Sequence, residues 1–131
     1  KAPSNRADGL RIVRTIEGAG RPLLRGEVVK VELSIDTFGN EIDHLVIQDL
    51  LPAGLEIESS AGHRLIRHKE HRDDRFLLFP DALGGVQKFT YLARAVTAGE
   101  YVLPAPAATC MYDAQIQAFG QAGRLTIVEA P

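Results

Sequence analysis

The chain has 131 residues, of which 45% are hydrophobic, and its 15 lysines and arginines nearly balance 17 aspartates and glutamates, giving a formal net charge of −2. This balance excludes the broad basic surface with which proteins bind nucleic acid or anionic membranes. One domain is expected at this length, and it can bury roughly two-thirds of the surface that its unfolded chain exposes, so neither a disulfide nor a metal is needed to stabilise it.

The first predicted strand comprises residues 10–16. Its apolar side chains occur at every second position and so share one face, which Arg14 interrupts. Such alternation is typical of a strand. The apolar residues are Leu10, Ile12 and Ile16. Residues 18–22 contain two glycines and a proline, and they end the strand.

Residues 26–58 contain two apolar runs around which we expect the core to be built. In residues 27–36 apolar and polar side chains alternate, which predicts a half-buried strand. The apolar positions are Val29, Val31, Leu33 and Ile35. Residues 45–47 are apolar at successive positions, which predicts burial on both faces. Residues 38–41 include a glycine and are expected to connect the two runs.

The next segments predict alternating turns and strands. Pro52 and Gly54 mark the turn that ends the second apolar run. We expect residues 56–61 to extend briefly into a loop. Residues 64–72 are too polar for the centre of a sheet, so we place them at an edge, where charge discourages pairing with other molecules. Residues 75–79 are apolar and are expected to be buried on both faces.

The last third of the chain completes the predicted sheets. Alternation over residues 88–95 predicts a long strand, and residues 100–103 a short one. Residues 107–112 form the next strand, a loop covers residues 113–123, and residues 124–128 form the last strand. Turn signals recur about every 8 to 12 residues without an amphipathic helix, so we predict an antiparallel all-β sandwich of about eight or nine strands.

Histidines are the candidates for a metal site. His63, His68 and His71 lie close together in sequence, but in a strand His63 and His71 share one face and His68 points to the other. A zinc site needs three or four convergent ligands. We therefore favour a solvated polar edge and expect no metal and no cofactor. A small-ligand or metal module that uses these histidines stays open as an alternative.

No pattern of catalytic residues is present, and we expect the chain not to be an enzyme. The serines lack the Gly-x-Ser-x-Gly pattern of hydrolases. Cys110, the only cysteine, has no histidine near it in sequence and cannot form an internal disulfide. A cysteine in a strand is more often a small buried apolar residue.

Cys110-Met111-Tyr112 permits two interpretations. In a strand, Cys110 and Tyr112 point to one face and Met111 to the other, and one of these faces is ordinary core. Alternatively, methionine and tyrosine are residue types that protein interfaces favour. Residue chemistry alone favours the core interpretation.

The sequence contains few signals that bear on export or membrane attachment. No apolar run approaches the ~20 residues of a membrane span. The first residues lack the apolar segment of a signal peptide, so an export signal would have to lie outside this chain. Proline, serine and asparagine at the start and Ala130-Pro131 at the end are typical of a domain boundary, which suggests a module of a larger protein.

Four segments, taken in order, resemble the C-terminal domain of bacterial α2-macroglobulins. They are residues 49–56 (DLLPAGLE), 72–76 (RDDRF), 89–99 (FTYLARAVTAG) and 110–113 (CMYD). The resemblance covers nearly the whole chain. It implies a macroglobulin-type, immunoglobulin-like β-sandwich that forms a single domain over residues 1–131, excised from the C-terminus of a much larger multidomain protein.

The resemblance also implies a function. Members of this family are periplasmic, often lipid-anchored protease inhibitors: a protease cleaves a bait region, the molecule rearranges, and an internal thioester acylates the protease. The last domain packs against the thioester domain and other domains of the parent chain, and its Met-Tyr loop shields the thioester from water. In this sequence the shield would be Met111 and Tyr112. The chain has no Cys-x-Glu-Gln sequence, so Cys110 is not the thioester cysteine.

The partners implied are therefore domains of the parent chain, and target proteases reached through the full-length protein. Neither nucleic acid binding nor direct membrane insertion by this domain is implied. The alternative function is a structural spacer or adhesion module of a bacterial surface protein, because such repeats share the sandwich and the Leu-Pro-Ala-Gly ending. Sequence upstream of Lys1 in the parent would separate the two.

Overall fold

The computed structural model describes residues 6–7, 9–18, 20–60, 66–72, 75–81 and 83–131. These residues form thirteen strands and no helix. The strands are β1 (Arg6–Ala7), β2 (Leu10–Ile16), β3 (Leu23–Leu24), β4 (Val28–Ile42), β5 (Leu45–Leu50), β6 (Leu55–Ser60), β7 (Ile66–Arg72), β8 (Arg75–Pro80), β9 (Leu83–Ala95), β10 (Gly99–Leu103), β11 (Ala107–Cys110), β12 (Asp113–Phe119) and β13 (Gly123–Val128).

The strands form three sheets. The front sheet has the order β1-β2-β4-β9-β6, the back sheet β12-β11-β5-β8-β7, and the small sheet β10-β13-β3. Neighbouring strands are antiparallel except β13 and β3, which are parallel over two residue pairs. The front and back sheets pack face to face, since the ring of Tyr91 on β9 lies 4.7 Å from that of Phe76 on β8. The predicted antiparallel all-β sandwich is confirmed.

The core lies between the front and back sheets, and β4 supplies its central row. The four apolar positions predicted from the alternation in β4 are all buried, with at most 1% of each side chain exposed. They are Val29, Val31, Leu33 and Ile35. The polar side chains between them face the other side of the front sheet. Period-two alternation thus predicted the buried face of the central strand correctly.

The strand count exceeds the predicted eight or nine, because four elements escaped the sequence pattern. Two of them, β1 and β3, have two residues each. β6 occupies most of the segment that we predicted to run into a loop. β12 occupies residues 113–119, which we predicted as loop, and it pairs with β11 as the second arm of a hairpin.

The connection between β4 and β5 differs from the prediction. Residues 38–41 continue β4 as an irregularity in its pairing with β9, with φ of 54° at Phe38 and 85° at Gly39. The chain instead passes from the front to the back sheet at Asp43 and His44, which we call the crossing. The sequence therefore predicted positive φ in the right segment, but this conformation forms a bulge within β4 and not a connection between strands.

The back sheet has one buried face, although we predicted burial on both faces for two of its strands. In β5 and β8 every second side chain is buried and those between are partly exposed. The buried apolar residues are Leu45, Ile47, Phe76 and Leu78. β7 lies at the edge of this sheet, as its polar sequence predicted.

The turn before β6 requires glycine for a packing reason. A Cβ atom on Gly54 would lie 2.6 Å from Cζ of Tyr101 and 2.8 Å from Cδ1 of Ile127. Ile127 belongs to the buried core, and the Tyr101 ring packs against it. No methyl group fits in this space without movement of both side chains.

Gly54→Ala is expected to lower the free energy of unfolding by about 1–3 kcal/mol, the usual cost of overpacking. Urea denaturation of the chain measures this change. Gly84→Ala is the matched control, because its Cβ would meet nothing closer than 3.9 Å. Equal losses in the two variants would contradict the packing argument.

Candidate functional site

Met111 and Tyr112 form the turn of the β11–β12 hairpin, and we call this pair the tip. Pairing of Cys110 with Asp113 closes the hairpin just before and after it. The side chain of Met111 is 52% exposed and that of Tyr112 is 79% exposed, while Cys110 is buried. The core interpretation is therefore right for Cys110 and wrong for the tip, because the strand ends at Cys110.

The tip and the neighbouring Cys110 are attached to the crossing by contacts of three kinds. The Met111 N–H donates to the His44 carbonyl oxygen at 2.8 Å. The rings of His44 and Tyr112 meet edge to face, with centroids 4.6 Å apart and an interplanar angle of 70°. The Cys110 thiol donates to the Asp43 carbonyl oxygen at 3.5 Å. The crossing therefore fixes both the backbone and the aromatic ring of the tip.

His44 has an unusual backbone conformation, with φ of 61°. Few residues other than glycine adopt this left-handed region, although histidine, asparagine and aspartate do so more often than most. Oδ1 of Asp43 accepts the His44 N–H at 2.8 Å, and Oδ2 lies 3.7 Å from Nδ1 of the ring. Asp43 thus holds the residue that supports the tip.

The side chains at the tip are of types that favour contact with another protein surface. A thioether, a phenol and an imidazole are brought together, and aromatic and methionine side chains are enriched where proteins bind one another. Among the large hydrophobic residues that the structure describes as exposed, Tyr112 has the highest exposed fraction. Apolar area of this kind on a rigid hairpin suits insertion into another surface.

A buried polar network was missed in the sequence. Nη1 of Arg14 lies 2.6 Å from Oδ1 of Asp49, and the Tyr91 hydroxyl donates to Oδ2 at 2.5 Å. Arg14 also donates to the Pro104 carbonyl oxygen at 2.7 Å. The Asp49 side chain is fully enclosed. Because Arg14 and Tyr91 lie on strands of the front sheet and Asp49 lies on β5 of the back sheet, the network joins the two sheets.

Burial determines the ionisation of this network. It raises the pKa of the Asp49 carboxyl, while the Arg14 guanidinium and then the Tyr91 hydroxyl act in the opposite direction. Burial, followed by the nearby Asp49 carboxyl, raises the pKa of the Tyr91 hydroxyl far above its usual value. This hydroxyl therefore stays protonated and remains a hydrogen-bond donor.

Clustered metal ligands and long apolar helices are two further features that could indicate a function. Among the described side chains, no group of three or more potential metal ligands converges. Residue 63 and the side chains of His68 and His71 lie outside the described part of the chain, so the prediction of a solvated histidine edge stays a prediction. Within the described ranges, no helix is long and apolar enough to cross a membrane.

The two packed antiparallel sheets place the chain among the immunoglobulin-like β-sandwich domains. A family model, the bacterial alpha-2-macroglobulin MG10 domain, matches residues 5–115. The chain belongs to this family. The resemblance to bacterial α2-macroglobulins inferred from four sequence segments is thereby confirmed.

Individual relatives agree with this assignment. The chain is 38% identical over 130 residues to alpha-2-macroglobulin of Escherichia coli, a match that covers 81% of the chain and 8% of that relative. The native Escherichia coli structure from domain MG7 to the C-terminus superposes with a TM-score of 0.82 at 33% identity, covering 96% of this chain and 24% of that one. Salmonella alpha-2-macroglobulin reacted with methylamine gives 0.83 at 32% identity, covering 98% and 10%.

The chain thus spans a small part of the length of these relatives. Its family is established, whereas its boundaries at residues 1 and 131, its place at the C-terminus of a parent protein and its lack of enzymatic activity stay predictions. The role predicted for Met111 and Tyr112 also stays a prediction.

Proposed function

We propose that this chain is the C-terminal domain of an α2-macroglobulin-type protease inhibitor, and that Met111 and Tyr112 shield a thioester in the neighbouring thioester domain from water. The observation that carries the proposal is the tip itself: two large side chains, 52% and 79% exposed, held in place by the crossing. The parent would act outside the cytoplasm, in the periplasm, where a lipid anchor can hold it.

Shielding requires only that water be excluded. Hydrolysis of a thioester begins when a water oxygen approaches the acyl carbon, and an apolar thioether together with the face of a phenol ring can occupy that approach. Neither side chain has to transfer a proton. The hairpin supplies the rigid support that a shield needs, because a loosely held side chain would leave the carbon open for part of the time.

The relatives support a thioester reaction in the parent. The solved structures that match this chain include alpha-2-macroglobulin reacted with methylamine and alpha-2-macroglobulin activated by trypsin. A primary amine that attacks a thioester forms a C–N bond, breaks the C–S bond and releases a thiol. For the parent of this chain we propose the same sequence, with a lysine of the captured protease in place of the amine.

Partners follow from this proposal. The thioester domain and other domains of the parent chain contact this domain directly, and target proteases reach it only through the full-length protein. The domain neither binds nucleic acid nor inserts into a membrane. A spacer would have no use for an exposed Met-Tyr pair fixed at the end of a hairpin, whereas an adhesion module could bind through one. The match of residues 5–115 to the bacterial alpha-2-macroglobulin MG10 domain favours the protease inhibitor over both.

Met111→Ala and Tyr112→Ala in the full-length protein are each expected to speed spontaneous thioester loss about fivefold, the change in rate that a contact of about 1 kcal/mol produces. The rate is measured as the appearance of free thiol with a colorimetric thiol reagent. The melting temperature of the 131-residue chain should stay the same, because both side chains are exposed.

Val102→Ala is the matched control for this experiment. Val102 is 58% exposed, close to the 52% of Met111, but it lies on β10 in the small sheet. Thiol release should be unchanged in this variant. The proposal fails when both tip variants release thiol at the rate of the unmodified protein, or when the thioester domain lacks the Cys-x-Glu-Gln sequence.

A further inference from the structure

We propose that His44 is a positioning residue of the tip: it holds the Tyr112 ring in one orientation and so completes a three-residue contact surface of His44, Met111 and Tyr112. The inference rests on the proposed function and extends it to a residue on a different connector of the sandwich. Nothing in the sequence around His44 points to this role, because the tip lies far along the chain.

The geometry assigns His44 two separate contacts with the tip. Its carbonyl oxygen accepts the Met111 N–H at 2.8 Å, which fixes where the turn begins. Its ring meets the Tyr112 ring edge to face at 4.6 Å. The first contact depends on the backbone and survives any side chain at position 44, whereas the second depends on an aromatic ring there.

The Tyr112 ring needs such a contact because most of its side chain lies outside the packed core. The side chain is 79% exposed, and a side chain that rotates freely must lose that freedom when it enters another surface. An edge-to-face ring contact removes part of this freedom before binding. The ring of His44 is itself 41% exposed, so it adds area to the surface as well as supporting it.

Substitutions can separate the ring from the backbone at this position. His44→Asn keeps a residue that tolerates positive φ and removes the aromatic ring. His44→Phe keeps a ring, and Phe38 in the preceding strand β4 shows that a phenylalanine occupies φ of 54° in this fold. Comparison of these two variants therefore tests the ring contact at a nearly constant backbone conformation.

The first experiment is NMR spectroscopy of the 131-residue chain. In the unmodified chain, Tyr112 ring protons should be shifted by the His44 ring and show cross-relaxation with it. In His44→Asn the shift should be lost, and in His44→Phe it should be retained. The resonances of Tyr101, whose hydroxyl donates to the Thr97 carbonyl oxygen at 2.8 Å, report whether the fold is intact.

Unchanged Tyr112 resonances in His44→Asn, with Tyr101 also unchanged, would overturn the inference. If His44→Asn disturbs Tyr101 as well, His44→Gly accommodates the positive φ without a ring and replaces it as the test variant. Loss of the Tyr112 shift in His44→Gly then supports the inference, and its persistence overturns it.

The second experiment is thiol release from the full-length protein. His44→Asn should speed release about twofold to fivefold, and His44→Phe should restore the original rate. Failure of the proposed function is distinguishable, because it appears as unchanged release in Tyr112→Ala and leaves the NMR result standing. Faster release in Tyr112→Ala with unchanged release in His44→Asn overturns the positioning role.

Discussion

Asp49→Ala is expected to reduce the free energy of unfolding by about 3–5 kcal/mol, the cost of leaving a buried charge without its partner. The Arg14 guanidinium, whose side chain is 6% exposed, would lose an oxygen 2.6 Å away and keep its donation to the Pro104 carbonyl oxygen. The Tyr91 hydroxyl would lose its acceptor in the same step. Urea denaturation of the chain measures the loss.

The surface pair of Arg94 and Glu58 provides the control for this prediction. Its nitrogen and oxygen atoms lie 3.0 Å apart, against 2.6 Å in the buried pair, and both side chains are about two-fifths exposed. Solvent screens such a pair, so Glu58→Ala should change stability much less. A loss in Asp49→Ala no larger than that in Glu58→Ala would refute the role given to the buried network.

Leu33→Ala is expected to cost about 2–5 kcal/mol, as for other large-to-small changes in protein cores. Leu33 is fully buried at the centre of the front sheet, where it pairs with Arg14 of β2 and Phe89 of β9. Truncation would leave a cavity that three strands cannot close without movement. The measurement is again the urea midpoint, with the slope of the transition unchanged.

Glu32→Ala is the comparison for this core variant, because Glu32 neighbours Leu33 in β4 and faces the other side of the sheet. Its effect should be small, since the side chain is partly exposed and its ion pair with Lys88 is long, at 3.9 Å. Similar losses in the two variants would mean that the buried face of β4 is assigned incorrectly.

Alternation of strong hydrophobic residues was sufficient to predict part of the fold. β2 begins and ends where the pattern predicted, and the buried face of β4 agrees at all four apolar positions. Both strands lie inside the front sheet, where burial of one face demands apolar residues at every second position. The charged segment of β7 was likewise placed correctly at an edge.

Elements whose existence depends on distant partners could not be predicted in this way. Among the β12 side chains whose burial the structure describes, Ile116 and Ala118 face inward, and the strand forms because β11 lies beside it. The bulge at Phe38 and Gly39 was mistaken for a turn, since both need the same backbone conformation. Only the pairing of β4 with β9 on both sides of it distinguishes the two.

The remaining errors of the sequence-based prediction concern polar residues at functional and structural sites. Asp49 occupies the same face of β5 as Leu45 and Ile47, so its burial could have been read from parity, but a carboxylate suggests the surface. Arg14 was seen only as an interruption of an apolar face. The tip was found through family resemblance, and the supporting role of His44 depends on a contact between connectors that no local pattern encodes.

The attachment of the tip to the crossing limits how the proposed shield can be removed. His44 belongs to the segment that joins the front and back sheets, and its carbonyl holds the Met111 N–H. The tip therefore cannot swing aside as a flexible flap without disturbing the junction of the sandwich. If the tip shields a thioester as proposed, rigid-body displacement of the whole domain would uncover it with less disturbance of the sandwich than movement of the tip alone.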